Sequence, residues 1–296
     1  MISLKDTIDI LKGQENSPGQ YSKTLIMGIL NITMDSFYDG GLHFQKDEAL
    51  RHALEMVKNY ADIIDIGGES TRPFSDPIPV DEELKRVIPV ISALSRETET
   101  PISIDTYKSE VARQAIEAGA TIVNDISALR FDPSMAALIA KMGVPVVLMH
   151  MKGTPKNMQE NPVYEDLINE IIEFFTNTID RAVETGIKLE NIIIDPGIGF
   201  GKSINDNLMI IKELNRFSSL GQQILIGSSN KSFIGHILSP LTESRQMGTM
   251  ATIAASIMNG ANIVRVHDVK AAREIATIID SIKAGNAMNF KLQPST

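Results

Sequence analysis

Eight short apolar runs, each followed by a stretch of helical periodicity, constrain this chain more tightly than any other feature of its sequence. The runs fall at 24–30, 63–66, 102–104, 121–123, 144–149, 192–194, 223–226 and 262–266. They are rich in Ile and Val and lack polar alternation, the pattern of strands buried on both faces of a parallel sheet. Amphipathic segments follow them at 47–60, 81–98, 109–118, 134–141, 164–185, 205–217, 244–258 and 269–284. In the longest, Leu167, Ile168, Ile171, Ile172, Phe175, Ile179 and Val183 recur at helical spacing, with Glu and Asp on the other side. Eight strand-then-helix units in series predict an α/β fold that closes into a (β/α)8 TIM barrel. It is expected as a single domain over 1–296, with 1–20 as an N-terminal extension. An open, doubly wound sheet is the structural alternative.

Composition then removes whole classes of function. A formal net charge of -9 leaves no basic stripe for a phosphate backbone, so nucleic acid is not an expected partner and any anion site is local. The absence of cysteine excludes a disulfide framework, a thiolate nucleophile and a sulfur metal site. The first residues mix Lys5, Asp6, Asp9 and Lys12 into an amphipathic pattern with no apolar signal core. No run approaches the roughly 20 apolar residues needed to cross a bilayer. A cytoplasmic location and no membrane partner are expected.

Polar residues stand where the apolar runs stop: Asn31, Asp65, Asp105, Asn124, His150, Asp195, Gly227, and Arg265 with His267. In a barrel these positions converge on one mouth, where active sites form. Asp105 closes Ile102-Ser103-Ile104, Asn124 and Asp125 close Ile122-Val123, and Asp195 closes three isoleucines. A carboxylate in such surroundings is costly to desolvate and needs a partner or a role. A single one could cap the next helix, but repetition at three strand ends makes capping an incomplete account. Two carboxylates and an amide oxygen in one pocket suit a ring bearing N–H and NH2 donors, such as an aminopyrimidinone. The same set could bind Mg2+, and spacing alone leaves both open.

Gly197-Ile198-Gly199-Phe200-Gly201-Lys202-Ser203 invites comparison with phosphate loops but misses them by one residue. A Walker loop needs glycine where Pro196 stands, and a dinucleotide fingerprint needs its third glycine later than Gly201. It reads instead as a tight turn beside a ligand, with Phe200 packing on it. Arg265 and His267 near the last strand, with Arg72 after Gly67-Gly68-Glu69-Ser70-Thr71, supply donors for an anion where barrels often hold phosphates. His150, directly after an apolar run, is expected to be a hydrogen-bonded rim histidine and receives no role.

Several blocks occur in a recognisable order across nearly the whole chain. They are Met27-Gly28-Ile29-Leu30-Asn31-Ile32-Thr33, Asp35-Ser36-Phe37, Gly67-Gly68-Glu69-Ser70-Thr71-Arg72-Pro73, Ser103-Ile104-Asp105-Thr106 and Asn124-Asp125-Ile126. Met149-His150-Met151, Asp195-Pro196-Gly197-Ile198-Gly199-Phe200-Gly201-Lys202, Lys231-Ser232-Phe233-Ile234-Gly235 and Arg265-Val266-His267-Asp268-Val269 complete the series. Together they resemble the dihydropteroate synthases, pterin-binding enzymes of folate biosynthesis. The resemblance implies condensation of 6-hydroxymethyl-7,8-dihydropterin diphosphate with 4-aminobenzoate, giving 7,8-dihydropteroate and pyrophosphate. It also implies Mg2+, competition by sulfonamides and a homodimer through barrel helices.

Carried over motif by motif, the resemblance assigns Asp105, Asn124, Met149, Asp195, Gly227 and Lys231 to the pterin. Asn31, Arg265 and His267 would hold the diphosphate, with Asn31 also near Mg2+. Asp35, Phe37, Thr71, Arg72 and Pro73, on mobile lids, would form the aminobenzoate site with Phe200 and Ser229. Lys231, Asp105 and Arg265 are the expected catalytic residues, and Arg265, His267 and Mg2+ would neutralise the departing pyrophosphate. Dissociative substitution at the pterin methylene, without an enzyme nucleophile, is the expected mechanism. Met34 and Asn230 depart from the family's proline and arginine, changes that bear on the stiffness of the first lid and remove one charge near the aminobenzoate site. The alternatives are a pterin-dependent methyltransferase, which has no need of a diphosphate clamp, and a catalytically silent pterin-binding paralogue.

Overall fold

A computed structural model describes residues 2–13, 23–32, 41–72, 75–242 and 244–287. Eight strands form a closed parallel barrel in chain order. They are β1 (Leu25–Asn31), β2 (Ile63–Gly67), β3 (Ile102–Asp105), β4 (Ile122–Asp125), β5 (Val146–Met149), β6 (Ile192–Asp195), β7 (Gln223–Ile226) and β8 (Ile263–Val266). β8 returns to pair with β1 in parallel, so the barrel prediction holds and the open sheet is excluded.

The helices begin with α1 (Leu4–Leu11), α2 (Gly41–Lys58), α3 (Val80–Glu97), α4 (Ser109–Ala118) and α5 (Met135–Met142). They continue with α6 (Leu167–Glu184), α7 (Ile204–Lys212), α8 (Ser232–Leu238), α9 (Gln246–Met258) and α10 (Val269–Ala284). The segment expected as one helix over 205–217 breaks instead at Glu213, beyond which the chain tightens into a 3-10 turn at Leu214–Leu220. α8 was not anticipated, because its 7 residues are too few to establish a period. Among the described residues no helix is long and apolar enough to cross a membrane.

Side chains alternate across each strand, and that parity divides the molecule into layers. One set points outward beneath the helices, including Ile64, Ile66, Ile104, Val123, Leu148, Ile194, Ile226 and Val264 in the main core. The other points into the barrel. Apart from the buried Ser103 of β3, its lower layer is apolar: Leu25, Met27, Ile63, Ile122, Val147, Ile193, Leu225 and Ile263 form one cluster with Leu11 of α1. The expected N-terminal extension therefore contains a helix that covers the barrel floor. Its Thr7 hydroxyl donates to Thr121 Oγ1 at 3.0 Å, and Gln223 donates its side-chain amide to the Leu11 carbonyl.

Candidate active site

The upper inward layer replaces hydrocarbon with charge. Strand register aligns Asn31, Gly67, Asp105 and Asn124 as successive partners across β1 to β4, and Met149 with Asp195 across β5 and β6. Asp65 differs from its expected place: it is the third residue of β2 rather than its end, because Gly67 continues the pairing. Gly67 also leaves space, since a Cβ there would lie 3.6 Å from Asp105 Oδ2 and 3.7 Å from Asn31 Oδ1.

Arg265 organises one side of this mouth. Its Nε donates to Asp65 Oδ2 at 2.6 Å and its Nη2 to Asp105 Oδ2 at 2.7 Å. Asn124 Nδ2 donates to the same Asp65 oxygen at 3.2 Å, while Asp65 Oδ1 is buried without a hydrogen-bond partner. Burial pushes the Asp105 carboxyl up to about 7, and the neighbouring Asp65 adds to the rise although Arg265 opposes it. Burial alone would lower the Arg265 pKa, but Asp65 and Asp105 together raise it above its ordinary value.

Across the mouth, Asp195 is buried, and desolvation raises its pKa despite a 2.8 Å hydrogen bond from Gly197 N–H and the nearby Lys231 and Lys202. The turn after it lies directly on β5's exit: a Cβ on Gly197, whose φ is +74°, would sit 2.0 Å from the His150 carbonyl oxygen. Only glycine fits there. The turn presents Phe200, and Lys231 Nζ stands 4.1 Å from the centre of that ring. Burial lowers the Lys231 pKa to about 8, helped by Arg265. Met149 and Phe200 belong to a small apolar cluster with Ile126, Met151 and Met158.

Beside Lys231, Ser229 Oγ lies 2.9 Å from His267 Nδ1. Burial holds the His267 pKa down to about 4, and the positive charges of Arg265, Lys231 and Arg72 push the same way. The histidine counted in the sequence as a neutralising cation is therefore uncharged near neutral pH. Burial is the larger cause, and Arg265, Lys231, Arg72 and His52 add to it in that order. A cleft of about 240 Å³ adjoins it, lined by Ser229, Asn230, Gln246, Thr249, Met250, His267 and Asp268.

The structure thus brings Asn31, Asp105, Asn124, Met149, Asp195, Phe200, Lys231, Arg265 and His267 to one end of the barrel, with Gly227 directly after β7 and close to Arg265. Thr71 is half-buried and Arg72 exposed beyond β2. Thr33, Met34, Asp35, Phe37 and Pro73 lie outside the described residues. Asn230 adopts φ +57°, a left-handed conformation that asparagine tolerates, and its carbonyl accepts from Arg245 Nη1 at 2.9 Å.

Two polar residues drew no role from the sequence. Asp65 was visible as a polar break in an apolar run, and its shared parity with Gly67 could have placed it in the mouth. Lys202 is buried, donating to the His150 and Phe200 carbonyls, with His150 Nδ1 3.0 Å away. It ties the glycine turn to β5 and explains the buried His150 as a hydrogen-bonded rim residue, as expected.

Among the described residues no trio of His, Asp or Glu is arranged to hold a metal ion. A magnesium ion that draws most of its oxygens from a substrate diphosphate and water needs few protein donors, and the Asn31 amide oxygen beside the Gly67 gap suits that demand.

Residues 27–267 match the family model of the pterin binding enzymes. A dihydropteroate synthase of Bacillus subtilis is 45% identical over 277 residues, covering 94% of this chain and 95% of that protein. The structure of Yersinia pestis dihydropteroate synthase with a sulfonamide drug complex is similar at a TM-score of 0.84 and 41% identity, covering 92% of this chain and 98% of that one. That of the Xanthomonas albilineans enzyme in complex with 7,8-dihydropteroate gives 0.80 and 40%, covering 88% of this chain and 94% of that one. With the closed barrel and its charged mouth, these likenesses establish that the chain belongs to the dihydropteroate synthases of the pterin-binding enzyme family.

Proposed function

We propose that this mouth divides the condensation of 6-hydroxymethyl-7,8-dihydropterin diphosphate with 4-aminobenzoate between its two sides. The carrying observation is that buried acceptors and converging cations share one barrel end: Asp105, Asn124 and Asp195 with Arg265, Lys231 and Arg72. In this reading Asp105, Asn124 and Asp195 accept from the pterin ring's N–H and NH2 groups, and Met149 and Gly227 flank its plane. The shift of Asp105 to about 7 supports the assignment, since this group can share a proton with a heterocycle at little cost.

Arg265, the neutral donor His267 and Asn31 receive the diphosphate. Substrate binding then competes with Asp65 and Asp105 for the Arg265 fork, and Asp65 retains Asn124 as a donor. Mg2+, held by Asn31 and the diphosphate itself, would supply charge neutralisation for the leaving group. The C–O bond at the pterin methylene breaks with its electron pair leaving on pyrophosphate. The aminobenzoate nitrogen then forms the C–N bond and releases a proton. Lys231, 4.1 Å over the Phe200 ring, stands between the pterin and an acceptor side formed by Phe200, Ser229, Thr71 and Arg72; Asp35, Phe37 and Pro73, outside the described residues, are assigned to that side by the resemblance alone.

The test is pyrophosphate release with both substrates and Mg2+. Release that depends on aminobenzoate supports the reading; tight pterin binding without turnover, or methyl transfer, overturns it. Positional-isotope scrambling in the diphosphate without aminobenzoate is the expected mark of dissociative cleavage. A homodimer through the outer helices belongs to the same proposal, supported by exposed Ile278 and Ile282 on α10 and checked by light scattering.

A further inference from the structure

A buried ionic cluster lies outside the pterin and diphosphate machinery, just beyond β2 and β3. Lys108 Nζ donates to Glu69 Oε2 at 2.6 Å, to Glu83 Oε2 at 2.6 Å and to the Ile78 carbonyl at 2.7 Å. The same Glu69 oxygen accepts from Ile78 N–H at 2.9 Å, and Glu69 Oε1 accepts from the Tyr107 hydroxyl at 2.7 Å. One ammonium and one carboxylate therefore bind both residues between which the chain leaves β2 and returns toward α3.

Inside that bracket the chain is braced again. Ser75 Oγ donates to the Ser70 and Arg72 carbonyls, at 2.6 and 2.8 Å. At its root, Arg86 Nη1 of α3 donates to the Gly68 carbonyl at 2.9 Å.

The cluster is an expensive way to hold a core together. Glu83 is buried, its pKa is raised by desolvation against the pull of Lys108, and its Oε1 has no hydrogen-bond partner. Apolar side chains of similar volume usually stabilise such a position as well or better. They could not, however, grip the backbone of Ile78 and the side chain of Glu69 with one group. Lys108 stands at the start of α4, three residues beyond Asp105 at the end of β3, so the clamp sits on the connection that leaves the strand carrying Asp105.

We propose that Lys108 is a positioning residue for the acceptor side: by tying Glu69 to Ile78 it sets where Thr71 and Arg72 stand. This rests on the reading that those two residues serve aminobenzoate. Lys108 touches no substrate; it acts through the backbone it holds.

Lys108→Met keeps most of the unbranched stem and removes the ammonium. Its aminobenzoate KM is expected to rise at least about tenfold, since displacements near 1 Å cost that much or more. Pterin diphosphate affinity, measured by calorimetry, stays within about twofold because the mouth's acceptors are untouched. Lys108→Arg, which can fork between Glu69 and Glu83, restores part of the loss. An unchanged aminobenzoate KM overturns the proposal, as does an equal loss for both substrates with a fallen thermal midpoint, the mark of a merely structural ion pair.

Should Lys108→Met not fold, Glu69→Gln carries the test: a several-fold rise in the same KM supports the clamp, and no rise overturns it. Thr71→Val and Arg72→Ala separate the two levels of the argument. If they leave the aminobenzoate KM unchanged, the acceptor-side reading fails and the proposal with it. If they raise it while Lys108→Met does not, the clamp alone fails.

Discussion

The two ends of this barrel are built from the same strands in the same register, yet they obey opposite rules. At the floor, the inward positions carry Leu25, Ile63, Ile122, Val147, Ile193, Leu225 and Ile263, and α1 lays Leu11 beneath them. Two residues further along β2 and β4 to β8, the inward positions carry Asp65, Asn124, Met149, Asp195, Gly227 just past β7, and Arg265, while β1 stays apolar at Met27 and reaches the mouth at Asn31. Strand parity delivers both sets without any change in backbone. The floor gains stability from each buried side chain, while the mouth gives up some of that to desolvate charge. The difference teaches where to look: stability resides at one end and chemistry at the other.

The comparison breaks first at Arg265. Its removal leaves Asp65 and Asp105 buried without their cation, so Arg265→Met is expected to cost about 3–5 kcal/mol of folding stability. It should also slow turnover by about 10²-fold or more, because the donors facing the leaving group are lost. Urea denaturation at neutral pH and single-turnover kinetics measure the two effects. A variant as stable as the parent would mean that the mouth's charges are not held by one another.

Ile193→Ala tests the floor. A cavity in this apolar layer is expected to cost about 2–5 kcal/mol, read from the same denaturation curves. The rate constant for turnover of the folded enzyme should not change. A parallel loss of rate would show that the layers are coupled and that the division drawn above is false. Smaller still is Asp195→Ala, which removes a buried acceptor and is expected to weaken pterin binding by about 1–3 kcal/mol in calorimetry. Unchanged affinity in a folded variant removes Asp195 from the ring's partners.

These two ends were not equally legible in the sequence. The floor and the outer layer follow from apolar runs whose periodicity needs no tertiary knowledge, and the closed barrel followed from their number. Site positions at strand ends, such as Asp105, Asn124 and Asp195, were visible because a carboxylate or amide interrupts hydrocarbon. What escaped were properties that exist only between strands. That Asp65 shares the Arg265 fork depends on closure of β1 against β8. That Lys108 reaches Glu69 and Glu83 depends on side chains 39 and 25 residues away in the chain. The lowered pKa of His267 depends on burial in the closed mouth and on positive charge brought there by separate segments.

That neutrality gives the finest test of the mouth. The folded protein holds the His267 pKa at about 4, below the ordinary 6.5, because burial and the cations Arg265, Lys231 and Arg72 disfavour imidazolium. A depressed group of this kind contributes stability above its unfolded pKa, and the contribution is lost as pH falls from about 6.5 through about 4. An anion seated among the same cations reverses the local field and draws the pKa upward. At His267 the binding of inorganic pyrophosphate should therefore take up a fraction of a proton at a pH between about 4 and about 6.5, alongside proton exchange of the pyrophosphate oxygens, which titrate at about 6. Calorimetry in buffers of different ionisation enthalpy gives the total, and the His267 share is the difference between the parent and His267→Asn, a variant that should keep most of the affinity through Arg265. Identical proton exchange in the parent and His267→Asn would place the anion away from His267, and the cations converging there would need another purpose.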